Sequence, residues 1–304
     1  MTAAIHTDHL SKRYGSRLGL VELDLTVERG EVFGFLGPNG AGKTTTIRTL
    51  LDLIRPSSGR ATVLDRDSHV QSLEIRRRVG YLPGELALYD TLTRRELLRY
   101  VANLRGSHGG GVDARYVEAL IERLDLDPSR QIRTLSKGNK QKVGLVQAFM
   151  HQPELLILDE PTSGLDPLVQ QEFHRLALEA KAEGRTVFLS SHVLGEVERI
   201  ADRVGILRDG RLIAVDAVAA IRERARHHVD IRFGRPVPAG VFAGLPGVRE
   251  ATIEGDHGRF AVEGSMDGLI KAAAGFEVVT IVSHEPDLEE VFLDYYRGSD
   301  RHAA

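Results

Sequence analysis

The chain has 304 residues, 42% hydrophobic and 27% charged, the composition of a folded soluble protein with room for one large and one small domain. Its formal net charge of -3 lacks the basic excess of a general nucleic-acid binder, so no nucleic-acid partner is expected. With no cysteine, disulfides, zinc–thiolate sites and thiol catalysis are excluded.

The N-terminus shows no signal-peptide pattern, and no run approaches the roughly 18 apolar residues of a membrane helix. The expectation is a cytoplasmic chain that reaches a membrane only through a partner. Residues 5–30 read as short strands, in which Val21, Leu23, Leu25 and Val27 alternate with polar residues at a period of two. Tyr14, just upstream, reads by itself as an ordinary turn aromatic.

Residues 31–36 are a short apolar run that predicts a buried parallel strand. After it comes Gly37-Pro38-Asn39-Gly40-Ala41-Gly42-Lys43-Thr44-Thr45, which fits the G-x-x-x-x-G-K-[ST] pattern. Ile47, Leu50 and Leu51 then share one helical face. Strand, glycine loop and helix form a phosphate cradle, because the loop can turn its N–H groups inward and the helix start adds positive potential. Lys43 is placed to reach β- and γ-phosphates, and the Thr44 hydroxyl to ligate Mg²⁺. A Gly-rich turn with a surface lysine is the competing reading, and both flanks count against it.

Residues 55–59 predict a turn and 60–64 and 79–82 strands, the latter stopping at Pro83-Gly84. From there to about 150 the pattern is helical, with Leu97, Leu98, Val101 and Leu104 in one stripe and Val117, Leu120, Ile121 and Leu124 in another. Residues 106–111 are a glycine-rich connector, in which His108 reads as a loop residue with no partner at ligand spacing. The run 155–158 ends in Asp159-Glu160, as a buried parallel strand carrying its acids at the carboxyl end would. Asp166-Pro167 predicts a helix start, with Asp166 as N-cap. Another apolar strand ends at Ser190-Ser191-His192, and residues 204–215 predict a hairpin turning on Asp209-Gly210. Residues 222–228 are a charged segment expected to be a solvated helix end or linker. Strands are expected at 229–233, 251–254, 259–262 and 277–282, with helices at 266–273 and 288–296. They make a small α+β appendage.

Together these motifs resemble the nucleotide-binding subunit of an ATP-binding cassette (ABC) transporter, over roughly residues 5–220. Leu135-Ser136-Lys137-Gly138-Asn139-Lys140-Gln141 is similar to the LSGGQ signature of that family, with Lys137 and Asn139 in place of Gly and Gln. The resemblance implies an α/β P-loop NTPase core: a RecA-like sheet, an antiparallel β-subdomain and a helical subdomain at about 85–150. The cassette would span 1–220 and the α+β domain 221–304. It implies ATP and Mg²⁺ as cofactors, bound by the loop 37–45, with Tyr14 stacked on adenine. Ser136, Lys137, Gly138 and Asn139 would meet the γ-phosphate of ATP held by a second cassette, and 163–166, ending in Asp166, would be the loop that crosses between subunits. Asp159 would hold the metal, Glu160 would polarise the attacking water, and His192 would contact the γ-phosphate.

One departure stands out. The family usually carries glutamine after the Tyr-Leu-Pro stretch; here Gly84 and Glu85 follow Pro83. Either Glu85 substitutes as a metal ligand or the metal keeps an extra water. The implied function is an ATPase subunit powering a membrane exporter by ATP-driven pairing of two cassettes, at the cytoplasmic face of the membrane. The region 81–100 would receive the integral membrane permease. The tail containing Glu285-Pro286-Asp287-Leu288 resembles cassettes of ABC-2 type drug and antibiotic exporters. Glu160, Ser136 and His192 are all present, which favours a homodimer over a heterodimer. A soluble cassette ATPase of translation or DNA maintenance is the alternative, and the single cassette and absent cysteines weigh against it. A GTPase reading lacks the N-K-x-D pattern, and a kinase would leave the signature stretch and His192 unexplained.

Overall fold

A computed structural model describes residues 3–106, 111–224 and 226–284. The expected helix at 288–296, the exporter-like tail and His108 lie outside the described residues. The chain divides into two compact units, Met1–Val215 and Asp216–Ala304.

The first unit runs β1 (Ala3–Tyr14), β2 (Arg17–Glu28), β3 (Val32–Leu36), α1 (Lys43–Leu50), β4 (Ser58–Val63), β5 (Arg66–Asp67), α2 (Ser72–Arg78), β6 (Val79–Leu82), α3 (Arg94–Gly106) and α4 (Ala114–Arg123). It continues with α5 (Lys137–Phe149), β7 (Leu155–Asp159), α6 (Pro167–Ala182), β8 (Thr186–Ser191), α7 (Leu194–Val197), β9 (Arg203–Arg208) and β10 (Arg211–Ala217). Two sheets result. One is a four-stranded antiparallel sheet, order β2-β1-β4-β5; the other has six strands, order β10-β9-β3-β8-β7-β6, with β9, β3, β8, β7 and β6 running parallel.

The parallel strands are apolar without alternation because both faces are covered: β3, β7 and β8 are buried at every residue. By contrast β2 buries Leu23, Leu25 and Val27 and exposes Glu22 and Asp24, as its alternation predicts. Phe33 and Phe35 both pack on Phe188, at 5.9 and 5.3 Å between ring centroids. The core continues into Ile47 and Leu50 of α1, so the phosphate-loop helix is anchored from below by apolar burial.

Parallel register fixes the site. Leu36 lies beside Ser191, and Asp159 beside Ser190. The three segments leaving β3, β7 and β8 therefore emerge at one carboxyl edge.

The helical stretch opens later than expected, at Arg94. Thr93 and Glu96 form a reciprocal cap, Thr93 N–H donating to the Glu96 carboxylate (2.7 Å) and Glu96 N–H to Thr93 Oγ1 (3.2 Å). Leu97 and Leu98 are buried there, whereas Leu104 is exposed, so that stripe is buried only in part. Arg123 at the end of α4 donates to Glu172 and Glu179 of α6, joining the two helices by charged hydrogen bonds. The β9–β10 turn has Asp209 and Gly210 at φ 49° and 79°, the left-handed pair of a tight hairpin. Among the described residues no helix is long and apolar enough to cross a membrane.

In the second unit α8 (Val218–Arg224), β11 (Arg226–Phe233), β12 (Val248–Glu254), β13 (His257–Glu263), α9 (Asp267–Ala273) and β14 (Val278–His284) build a sheet of order β12-β13-β11-β14. The charged segment 222–228 is not a linker throughout. Arg226, His227 and His228 already pair with Glu263, Val262 and Ala261 of β13, because the period of two begins there.

His151, just past α5, reaches the carbonyl of Val79 through Nε2 at 3.2 Å. Burial, then the positive charges of Arg105 and Arg185, push its pKa down to about 4 from 6.5, against the opposing pull of the Val79 carbonyl. The unfolded chain thus takes up a proton below 6.5 that the folded chain refuses until about 4. His151's contribution is complete above pH 6.5 and declines as pH falls toward 4. We expect wild type to lose about 2 kcal/mol more than His151→Gln between pH 7.5 and 5.0, as read by urea unfolding.

Candidate active site

The loop after β3 closes on itself by backbone bonds. Ala41 N–H donates to Pro38 C=O (3.1 Å), and Gly37 N–H to Ser191 C=O (3.3 Å) of the neighbouring strand end. Gly42 sits at φ 113°, where a Cβ would also lie 2.7 Å from the Gly19 carbonyl oxygen, so only glycine fits. Helix α1 starts there with Lys43, and its first N–H groups face the loop. Lys43 is buried, and its Nζ donates to Gly37 C=O at 2.5 Å.

Asp159 ends β7 and is 1% exposed. Its carboxylate is held from two directions, accepting from Ser190 Oγ at 2.6 Å and from Thr44 Oγ1 at 2.7 Å. Tyr81 on β6 has its pKa pushed up to about 12, by burial first and then by the negative charge of Asp159, with Arg48 opposing; it stays a neutral phenol.

Glu160 follows in a left-handed conformation (φ 51°) that a β-strand continuation would not give. Its N–H donates to Ser190 C=O (3.2 Å) and Oγ (3.1 Å), and Gln141 Nε2 donates to its carbonyl (3.0 Å). The turn aims the carboxylate at two partners: Oε2 lies 2.8 Å from His192 Nδ1 and Oε1 lies 3.2 Å from Lys43 Nζ. The second contact is an ion pair without hydrogen-bond alignment, so Oε1 is a buried acceptor with no donor.

These groups border a cleft of ≈ 380 Å³ lined by Tyr14, Pro38, Asn39, Gly40, Lys43, Thr44, Thr45 and Glu160. Gly37 and Ala41 do not line it; they shape the loop behind. Tyr14 stands at the mouth, 48% exposed, with Lys12 Nζ 5.3 Å from its ring centre. Arg17, Leu18 and Gly19 also line the cleft, a role the motifs do not announce. Their signal is the Tyr14–Arg17 pair that closes the β1–β2 turn. Ser190 and Gln141 are equally silent in the sequence, since nothing local in a serine pair or a mid-helix glutamine marks a partner 31 or 19 residues away.

Ser136 is the N-cap of α5, accepting from Asn139 N–H (3.3 Å) and Nδ2 (3.0 Å). A Cβ on Gly138 would lie 2.2 Å from Gly164 C=O, so the signature packs backbone to backbone on the loop after Glu160. Lys137 Nζ donates to Ser163 Oγ across that contact (3.1 Å). Asp166 caps α6, accepting from Leu168 N–H (3.1 Å) and Val169 N–H (3.0 Å).

The oxygens of Thr44 and Asp159 are hard donors side by side at the phosphate loop, and they suit Mg²⁺. Gly84 adjoins them: a Cβ there would lie 3.1 Å from Asp159 Oδ2. Glu85 is exposed and forms no hydrogen bond or ion pair with this set. The described His, Asp and Glu residues that cluster at metal spacing are instead Asp8, His9 and Asp24, all exposed and remote in sequence from these motifs.

Fold and site define a P-loop nucleotide hydrolase with a signature helix and an antiparallel side sheet. A family model described as "ABC transporter" matches residues 20–163. The chain is 34% identical to the bacitracin transport ATP-binding protein BcrA of Bacillus licheniformis, over 98% of this chain and 99% of that one. It is likewise 34% identical to the daunorubicin resistance ATP-binding protein DrrA3 of Streptomyces coeruleorubidus, over 98% and 97%. A solved ATP-binding subunit of an ABC transporter matches with TM-score 0.66 and 34% identity, covering 73% of this chain and 92% of the other. The chain belongs to the ABC transporter ATP-binding proteins. It is a nucleotide-binding ATPase subunit that works in pairs with a membrane permease.

Gly138→Ala tests the signature contact. We expect ATPase activity to fall more than tenfold with a thermal midpoint changed by only a few degrees, because the added Cβ displaces the 163–166 loop without opening the core. Steady-state phosphate release and a thermal melt read the two effects separately.

Proposed function

We propose that this chain powers export of a drug- or antibiotic-like molecule through a separate integral membrane permease, at the cytoplasmic face, as a homodimer of cassettes. The observation that carries the chemistry is Glu160, turned out of its strand and set between Lys43 and His192 beside the phosphate loop. A carboxylate so placed, with one buried acceptor free of donors, suits a general base for water attacking the γ-phosphate. Support for export comes from near full-length similarity to the bacitracin and daunorubicin proteins. The homodimer rests on the presence of Ser136, Glu160 and His192 in one chain.

In this reading the loop 37–45 wraps the triphosphate and Lys43 moves its charge onto the β- and γ-phosphates. Thr44 and Asp159 would hold Mg²⁺, which when bound neutralises phosphate charge. Tyr14 offers a half-exposed face for the base, and His192, already on Glu160, orients that carboxylate and meets the γ-phosphate. Ser136 and the start of α5 present a hydroxyl and N–H groups to the nucleotide of the second copy. Tyr89 and Tyr100, exposed and edge-to-face at 5.7 Å, belong to the surface at 81–100 that receives the permease.

Glu160→Gln should lower turnover at least a hundredfold, the loss typical of a general base, and accumulate an ATP-bound dimer visible by light scattering. A variant that still hydrolyses ATP at the wild-type rate removes Glu160 from the base role. Purifying the tagged chain from detergent-solubilised native membranes should recover one integral membrane protein in stoichiometric amount. Recovery with ribosomes or DNA instead would overturn the export reading and leave the ATPase intact.

A further inference from the structure

Gln141 is a polar residue in the buried stretch of α5. The helix packs Val143, Leu145, Val146 and Phe149 into the interior, yet Gln141, one turn past its start, is only 3% exposed. A buried amide is tolerated where its polar atoms are bonded, and Nε2 carries two N–H bonds. They find two consecutive carbonyls outside the helix, Glu160 at 3.0 Å and Pro161 at 3.1 Å. Two acceptors facing one end of the amide also fix which end is nitrogen.

Those carbonyls belong to the bend on which the site depends. Glu160 is left-handed at φ 51°, a conformation that an L side chain disfavours. Released into the extended region it would continue β7 and carry its carboxylate away from Lys43 and His192. The bend is held at its N–H by Ser190, whose Oγ also donates to Asp159. Its carbonyl accepts from Ser163 N–H (3.2 Å) within the turn and from Gln141. Of these donors, only Gln141 is a side chain that can be removed without disturbing Asp159.

Helix α5 meets the same loop twice more. Gly138 packs against the Gly164 carbonyl, and Lys137 Nζ donates to Ser163 Oγ. Residues 160–164 are thus joined to the first turns of α5 at three points, and Ser136 caps that helix. Gln141 is the point that reaches Glu160 itself.

We propose that Gln141 is a positioning residue for hydrolysis: its amide holds the Glu160 bend from the signature helix, so the carboxylate is set for attack only while α5 is seated. The inference rests on Glu160 as the base and adds what sets that base. In the same reading the start of α5 faces the nucleotide of the second copy. A shift of the helix on that nucleotide then reaches Glu160 through one side chain.

Gln141→Met keeps the length and nearly the volume and removes both donors. In the full-length protein, turnover should fall at least tenfold. The dissociation constant for ATP, measured by equilibrium dialysis in EDTA, should stay within twofold, because loop 37–45 and Tyr14 are untouched. A cooperative melt checks the fold, and Gln141→Leu gives the same comparison where methionine packs badly. The decisive readout is the double variant. Single-turnover hydrolysis of radiolabelled ATP by Gln141→Met with Glu160→Gln should run within twofold of Glu160→Gln alone, since Gln141 acts through that carboxylate. A tenfold loss that recurs on the Glu160→Gln background would make Gln141 a packing residue and overturn the proposal, as would a tenfold weaker hold on ATP. Wild-type turnover by Gln141→Met beside a slow Glu160→Gln would sink this inference alone. Wild-type turnover by Glu160→Gln would sink the base reading, and this inference with it.

Discussion

The Asp159 carboxylate is the tie on which the catalytic arrangement depends. A charge this deeply buried is tolerable only when it is hydrogen-bonded, and its donors come from different segments: Ser190 at the end of β8 and Thr44 in the first turn of α1. One side chain thereby fixes the strand that leads into Glu160, the strand that leads into His192 and the helix that begins at Lys43. Parallel pairing brings these ends level, and the carboxylate sets their spacing. The left-handed turn at Glu160 then follows: its N–H is taken by Ser190 and its carbonyl by Gln141, so the backbone is held on both sides of the strained residue.

How much of this is legible in the sequence depends on the range of the interaction. The fully buried strands are, because an unbroken apolar run ending in acids or serines is what a strand covered on both faces requires. So is the Asp166 cap with Pro167 behind it. Lys43, Thr44, Asp159, Glu160 and His192 fall together in the structure as their motifs suggest. The start of α3 is marked locally by Thr93-Arg94-Arg95-Glu96 ahead of Leu97-Leu98, a capping-box pattern that the apolar stripe alone does not reveal. Arg226–His228 looks like a solvated charge cluster because its pairing partners, 261–263, lie some thirty-five residues away by sequence number. Ser190 and Gln141 are hidden for the same reason: what they do is set by the residues they touch.

The departures in the signature stretch have a physical order. Of the three positions 137–139, only 138 is closed to a side chain, since a Cβ there would collide with the Gly164 carbonyl, and it is the one that remains glycine. Lys137 and Asn139 use their side chains within the chain, on Ser163 and Ser136 respectively. Lys137 therefore braces the signature against the loop at Ser163, while Asn139 tightens the signature's own first turn. Gly84 is the opposite case. A Cβ there would lie 3.1 Å from Asp159 Oδ2, a close contact that the glycine avoids while offering no side-chain ligand of its own. On the proposed reading Mg²⁺ would then be held by Thr44, Asp159 and solvent. In the same reading residue 84 offers no side chain to link metal and permease, while Tyr81, on the strand beside Asp159, is kept a neutral phenol by burial and by that carboxylate's charge.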